Sequence, residues 1–218
     1  MSNNDNSLSD KVKYDLSFKM IVVGDVNVGK SCLTGRAIKG IFSSEYEPTI
    51  GFEFLSYYTK IDNEIIKLQI WDTAGQEIYR SLITNFYRNS SLAMMVYAID
   101  SRQSFLNLNI WLNEIKINSN PDVKIILIGN KVDLENERKV SLEEARKYKE
   151  ENQILYFEET SAKTGINVQE VFNEAARILY NEYKKYKTRG NNFRGNKEED
   201  KTHTKLTKVE TNRNKGCC

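Results

Sequence analysis

Histidine is almost absent. Among 218 residues there is one, His203, in a polar stretch. Imidazole catalysis and a histidine-ligated metal inside a folded domain are therefore excluded by inventory. Cysteine occurs three times, as Cys32, Cys217 and Cys218. That is no disulfide framework, and it fits a reducing compartment. No apolar run reaches the roughly 18 residues that a membrane-crossing helix needs. The opening stretch, MSNNDNSLSDKVKYDLS, lacks the apolar segment of a secretory leader. Excess charge of one sign is missing too. The net charge is +2, so bulk electrostatics nominate no nucleic-acid partner. With 39% apolar and 28% charged residues, a core is feasible, and the length suggests one domain with extensions.

What is present has a clear order. Residues 1–17 are rich in Asn, Ser and Asp and are expected to be disordered. Residues 18–23, 52–61, 65–71, 92–99, 124–129 and 154–157 are expected to be strands, with a hairpin turn at Asp62-Asn63-Glu64. Helical spacing is expected over 30–39, 104–117, 141–151 and 167–187. Ser141 and Glu144 have the spacing of a capping box, and Asn167 is expected to cap the last helix. Residues 72–82 look like a loop running into a short helix. Residues 188–218 are Asn-, Lys- and Thr-rich and are expected to form a flexible tail. Alternating strands and helices predict a six-stranded, mostly parallel α/β sheet with one antiparallel edge strand and helices on both faces. Ligands of such sheets bind outside the carboxyl ends of the strands.

The chemistry is concentrated at 24–31, GDVNVGKS. This is G-x-x-x-x-G-K-[ST], placed between a buried strand and a helix as a phosphate-cradling loop requires. Backbone N–H groups of Asp25, Val26, Asn27, Val28, Gly29, Lys30, Ser31 and Cys32 are candidates to surround an anion. Lys30 would reach the outer phosphates, and the Ser31 hydroxyl suits Mg²⁺.

Further groups fall in the same register. Asp72 ends a strand just before Thr73-Ala74-Gly75-Gln76, where a carboxylate can hold Mg²⁺ opposite Ser31. The Gly75 N–H can approach a terminal phosphate, and Gln76 can orient a water with its donor and acceptor. Thr49 could reach both metal and phosphate, or could be an ordinary strand-entry threonine. Asn130-Lys131-Val132-Asp133 follows a buried strand. The Asp133 carboxylate matches the N1–H and N2–H₂ donors of guanine, which adenine lacks. Asn130 can support the loop and reach the base, and the Lys131 stem can lie along it. Ser161-Ala162-Lys163 follows the next strand, with the Ala162 N–H free for the guanine O6.

Together GDVNVGKS, Thr49, DTAGQ, NKVD and TSAK resemble the nucleotide boxes of the Ras-superfamily small GTPases. Within these, IGFEF, KLQIW, IYRSLI and FYRNS resemble the Rab family. The likeness spans about residues 18–186 and the final pair. It implies a P-loop GTPase domain over 18–187 that hydrolyses GTP to GDP with Mg²⁺, with Gln76 and Lys30 catalytic. Ser31, Thr49 and Asp72 would hold the metal. Phe42 would pack edge-on to the base, and Tyr46 would lie over the phosphates. Phe54, Trp71 and Phe86 match an effector-reading aromatic triad, although core packing would equally account for Phe54 and Trp71. Cys217 and Cys218 resemble a double geranylgeranylation site. Two lipid chains give stable anchoring where one is marginal, and the tail would span roughly 30 Å as a coil. The expected partners are an exchange factor, a GAP, a GDP-dissociation inhibitor, the prenylation machinery, effectors and an endomembrane's cytoplasmic face. A cytosolic pool and a monomeric state are expected as well.

Two places, three residues in all, depart from that pattern. Val26-Asn27 stands where a small residue and then glycine are usual. Asn27 suits a positive φ, whereas the resemblance implies that a bulky residue at Val26 crowds the space for Gln76 and for an arginine finger, with slow hydrolysis and a weakened GAP response expected. Ala98 replaces a common aspartate. Three functions stay open: a GTP/GDP switch in vesicle trafficking, a GTP-locked membrane module with negligible turnover, and, against the NKVD box, a nucleoside kinase.

Overall fold

The computed structural model describes residues 12–43, 51–73 and 86–188. Tyr46, Thr49, Gly75, Gln76, Cys217 and Cys218 lie outside the described residues, as do residues 1–11 and 189–218. The inner limits of the two expected disordered ends are corrected, because Leu16 and Ser17 already pair with Ile66 and Lys67 in the first strand and Thr188 still belongs to the last helix. The described strands are β1 (Leu16–Val23), β2 (Phe52–Ile61), β3 (Glu64–Thr73), β4 (Leu92–Ala98), β5 (Lys124–Asn130) and β6 (Tyr156–Thr160). They form one sheet in the order β2-β3-β1-β4-β5-β6. Only the β2–β3 pair is antiparallel, so the expected edge hairpin is present.

The described helices are α1 (Lys30–Lys39), α2 (Arg102–Leu106), α3 (Leu108–Asn118), α4 (Leu142–Glu151) and α5 (Val168–Thr188), with a 3₁₀ helix at Val132–Glu137. Helices α1 and α5 cover one face, over a core that includes Phe18, Met20, Leu33, Ile70 and Phe172. The other face is covered by α2, α3 and α4 over Ile21, Val23, Tyr97, Trp111 and Ile115. Central strand β4 is buried along its whole length. That is why it reads as an uninterrupted apolar run rather than an alternation.

Three further expectations are corrected. The apolar repeat over 104–117 is not one helix. It divides at Asn107, and Ser101 caps the first piece by accepting the Ser104 N–H. The last strand begins at Tyr156, not Ile154, because Ile154 is buried as a core side chain before the strand starts. The hairpin turn is shorter than expected: Glu64 already belongs to β3, and Asp62 makes the turn with φ of 52°. The capping box at Ser141 and Glu144 is formed as expected. Asn167 precedes α5 with φ of 57°, its carbonyl accepts the Val171 N–H, and its side-chain amide donates to the Glu159 carbonyl at 2.8 Å.

Register fixes where the site lies. Ala98 stands opposite Asn130, and Asn130 opposite Thr160. Val22 stands opposite Asp72. The carboxyl ends of the strands therefore finish at one edge of the sheet, and the segments that follow them share that edge.

Candidate nucleotide-binding site

The loop between β1 and α1 has a backbone that few sequences could follow. Gly24 has φ of 145°, and a Cβ there would lie 2.1 Å from the Val96 carbonyl oxygen. Asn27 has φ of 64°, the left-handed conformation expected of it. Gly29 has φ of 91°, and a Cβ there would lie 2.4 Å from Asn130 Nδ2. Gly29 precedes α1 without any side-chain cap, and no acidic residue occupies the first turn. The first amides of α1 therefore meet no internal anion, which leaves a helix N-terminus suited to phosphate. Val26 is exposed at the loop's outer surface, while Val28 is buried. Cys32 is a half-buried free thiol whose pKa is raised by burial and by Asp72.

Lys30 folds back under the loop. Its Nζ donates to the Gly24 and Asp25 carbonyls, both at 2.8 Å, which accounts for two of its three hydrogens. Burial lowers its pKa to about 8, against the opposing pull of Asp72 and Asp25.

Asp72 is fully buried at the end of β3. Burial raises its pKa to about 6, and Glu53 adds to the shift. Neither carboxylate oxygen makes a hydrogen bond of standard geometry among the described residues. The Ser31 and Thr34 hydroxyls and Lys30 lie near enough only to hold the shift back. An ionised, buried carboxylate without partners is costly. A hard cation with oxygen ligands would satisfy it, so Asp72 with the Ser31 hydroxyl fits Mg²⁺. Phe42 is exposed beyond the end of α1.

The β5 and β6 segments meet the phosphate loop through Asn130. Its Nδ2 donates to the Val28 carbonyl at 2.9 Å, and its Oδ1 accepts the Thr160 hydroxyl at 3.2 Å. The second Nδ2 hydrogen has no partner among the described residues. Oδ1 also accepts the Ala162 N–H at 3.3 Å. That amide was expected free for guanine; the parallel neighbour strand brings Asn130 within reach of it. Lys131 has φ of 71°, and its Nζ lies 3.7 Å from Asp100 Oδ2. Ser161 donates to Asp133 Oδ1 at 2.6 Å and accepts the Thr164 N–H at 3.0 Å. The carboxylate is thus held in one orientation, as reading a base edge requires. Lys163 is exposed.

Two supports were missed from the sequence. Arg138 grips both Glu159 oxygens, at 2.7 and 2.8 Å, and also Glu135, so the segment after Asp133 is tied to the strand before Ser161. Such a pairing has no local pattern. Asp25 is the second: both its carboxylate oxygens are taken by α2–α3, and it serves the loop through its carbonyl.

Beside the site, at the outer strands, four aromatic rings form a cluster. Trp71 stacks on Phe86 at 4.9 Å between centroids and meets Phe54 edge-on at 5.2 Å. Phe52, which was not singled out, joins at 4.2 Å from Phe86. Phe54 is 48% exposed and Phe52 45%, so core packing does not account for Phe54. Ala98 is buried, and its N–H donates to Ser104 Oγ; nothing in the structure gives it a further role.

Comparison with known proteins agrees with this geometry. The Ras family model matches residues 19–181. The chain is 42% identical to the Ras-related protein Rab-4B of Homo sapiens over 168 residues, 77% of this chain and 78% of that one. It is 46% identical to the Ras-related protein RHN1 of Nicotiana plumbaginifolia over 165 residues, 76% of this chain and 82% of the relative. The same identity and coverage hold for the Ras-related protein Rab5 of Nicotiana tabacum. With its phosphate loop and guanine-type base loop set at one sheet edge, the chain belongs to the Ras family, among its Rab small GTPases.

Proposed function

We propose that the chain is a membrane-anchored GTP/GDP switch of vesicle trafficking that binds its nucleotide with Mg²⁺ and hydrolyses GTP slowly. The observation that supports it best is the combination of Lys30, folded under the phosphate loop, with the buried Asp72 carboxylate, which has no hydrogen-bond partner among the described residues, beside a helix N-terminus that no side chain caps. Residues 18–187 serve as the catalytic domain. Asp133, braced by Ser161, accepts from the guanine edge, and the remaining hydrogen of Asn130 Nδ2 faces the same ligand. Lys131 and Phe42 flank the base. The amides from Asp25 to Cys32 hold the phosphates, and Lys30 neutralises charge on the outer ones. Gln76 orients the attacking water, helped by the Gly75 N–H, and Thr49 and Tyr46 close over the terminal phosphate. Ser31, Asp72 and Thr49 would hold the metal, which when bound neutralises charge on the outer phosphate oxygens.

Loss of the terminal phosphate frees the segments around Thr49 and Gln76, which is how such switches change partners. The exposed rings of Phe52 and Phe54, with Trp71 and Phe86, present the surface an effector reads. An exchange factor, a GAP and a GDP-dissociation inhibitor act on the same domain. Cys217 and Cys218, carrying geranylgeranyl groups, hold it on the cytoplasmic face of an endomembrane. Identification of the nucleotide that copurifies with the chain tests the reading. GDP is expected, GTP would favour the locked module, and ATP or no nucleotide would contradict both. Mass spectrometry of chain from eukaryotic cells should show two lipids at the final cysteines.

A further inference from the structure

Asp25 belongs to the phosphate loop, but its side chain belongs to a different contact. Its Oδ1 accepts the indole N–H of Trp111 at 2.8 Å, and its Oδ2 accepts Asn107 Nδ2 at 2.7 Å. Trp111 is 1% exposed, so this N–H has no access to water as a substitute. Asn107 is the residue at which the apolar repeat divides into α2 and α3. Its own Oδ1 accepts Gln103 Nε2 at 2.8 Å, which turns its amide nitrogen toward Asp25. Both donors are charge-assisted, and such bonds are the strong ones. The carbonyl of the same Asp25 accepts Lys30 Nζ.

We propose that Asn107 and Trp111, on helices that carry no nucleotide motif, are positioning residues for the phosphate loop. They grip the Asp25 carboxylate by both oxygens. That fixes the Asp25 peptide, whose carbonyl, with that of Gly24, steadies the Lys30 ammonium and leaves one hydrogen for phosphate. The junction at Asn107 coincides with that contact. Asn107 keeps helical backbone, with its N–H on the Gln103 carbonyl at 2.9 Å, while its side chain reaches into the loop. This inference rests on the guanine-nucleotide reading above and assigns that site a support from the opposite face of the sheet.

The test uses the full chain loaded with a fluorescent GDP and follows release in excess GDP with Mg²⁺. Trp111→Phe keeps the ring and removes the donor. Asn107→Asp replaces a donor by a like charge. Each should speed release about tenfold, the effect of one hydrogen bond to a charged group. The exchanged pair Asp25→Asn with Asn107→Asp restores a donor facing an acceptor, and leaves an acceptor for Trp111. It should return release to within about threefold of wild type. Ile115→Val, buried on the same helix away from Asp25, lowers stability alone and should leave release unchanged. Wild-type release rates in both single variants would overturn the proposal. So would equal acceleration in Ile115→Val, or no recovery in the exchanged pair. A wild-type chain that retains no GDP at all contradicts the nucleotide reading as well; the other failures contradict this inference alone.

Discussion

Asn130 and Val28 are 102 positions apart in sequence and are joined by one hydrogen bond, from the Asn130 amide to the Val28 carbonyl at 2.9 Å. The loop that selects the base and the loop that holds phosphate are therefore one mechanical unit. Asn130→Ala removes that tie and leaves the Val28 carbonyl and the Thr160 hydroxyl without their partner. Unpaired buried groups cost about 1–3 kcal/mol each. GDP dissociation, followed by stopped flow, should accelerate at least about tenfold.

Gly24 tests the backbone of the same loop. Its missing side chain leaves room for the Val96 carbonyl, a backbone group that a Cβ would meet at 2.1 Å. Neither strand can give way in the middle of a sheet. Gly24→Ala should lower stability in urea unfolding by about 2–5 kcal/mol, combining overpacking with an unfavourable φ.

The nucleotide-free, metal-free chain should have a trough in its stability. The folded pKa of Asp72 is raised, from 3.8 to about 6. The folded chain thus holds a proton that the unfolded chain has lost, and stability falls as pH rises through that interval. Lys30 is lowered, from 10.5 to about 8. The unfolded chain binds more protons there, so stability rises between those values. Thermal unfolding in EDTA should be weakest near pH 6–8. Asp72→Asn should remove the acid limb, worth about 3 kcal/mol at most, and should also remove the dependence of GDP retention on Mg²⁺.

Much of this was legible in the sequence, for reasons particular residues show. The run from Phe18 to Val23, the break at Gly24 and the close at Lys30-Ser31 are consecutive, so strand, loop and helix are written in one stretch. Asn27 was legible because few side chains suit its φ. The division of the helix at Asn107 was not, because Phe105, Leu108, Trp111 and Leu112 keep a helical repeat across it. At the division Asn107 bonds to Asp25, 82 positions away, and no local window contains that contact. Arg138 with Glu159 was invisible for the same reason, and the start of β6 was misplaced because Ile154 is buried without being in a strand. The aromatic cluster was half legible. Three rings stand in known places, but Phe52 joins through an edge-strand geometry that only the folded hairpin displays.

Val26 is expected to set the turnover rate. It is 44% exposed in the loop, and we propose that its two methyl groups crowd a water-orienting Gln76 and an incoming arginine. Val26→Gly should speed single-turnover GTP hydrolysis about tenfold, a barrier change of ~1.4 kcal/mol. The gain should be larger with a GAP present, since an arginine finger alone is worth about 10³–10⁵. Equal rates would leave slow hydrolysis without this cause.

The central claim is that Asp133, Asn130 and the loop at Lys30 together form a pocket for guanine nucleotides. Competition of GDP against ADP for the nucleotide-free chain, with Mg²⁺ present, tests it most directly. An acceptor braced to match two donors rejects a base lacking them by about 10⁴-fold, and that preference for GDP is the expected result. Equal affinity for the two nucleotides would contradict it.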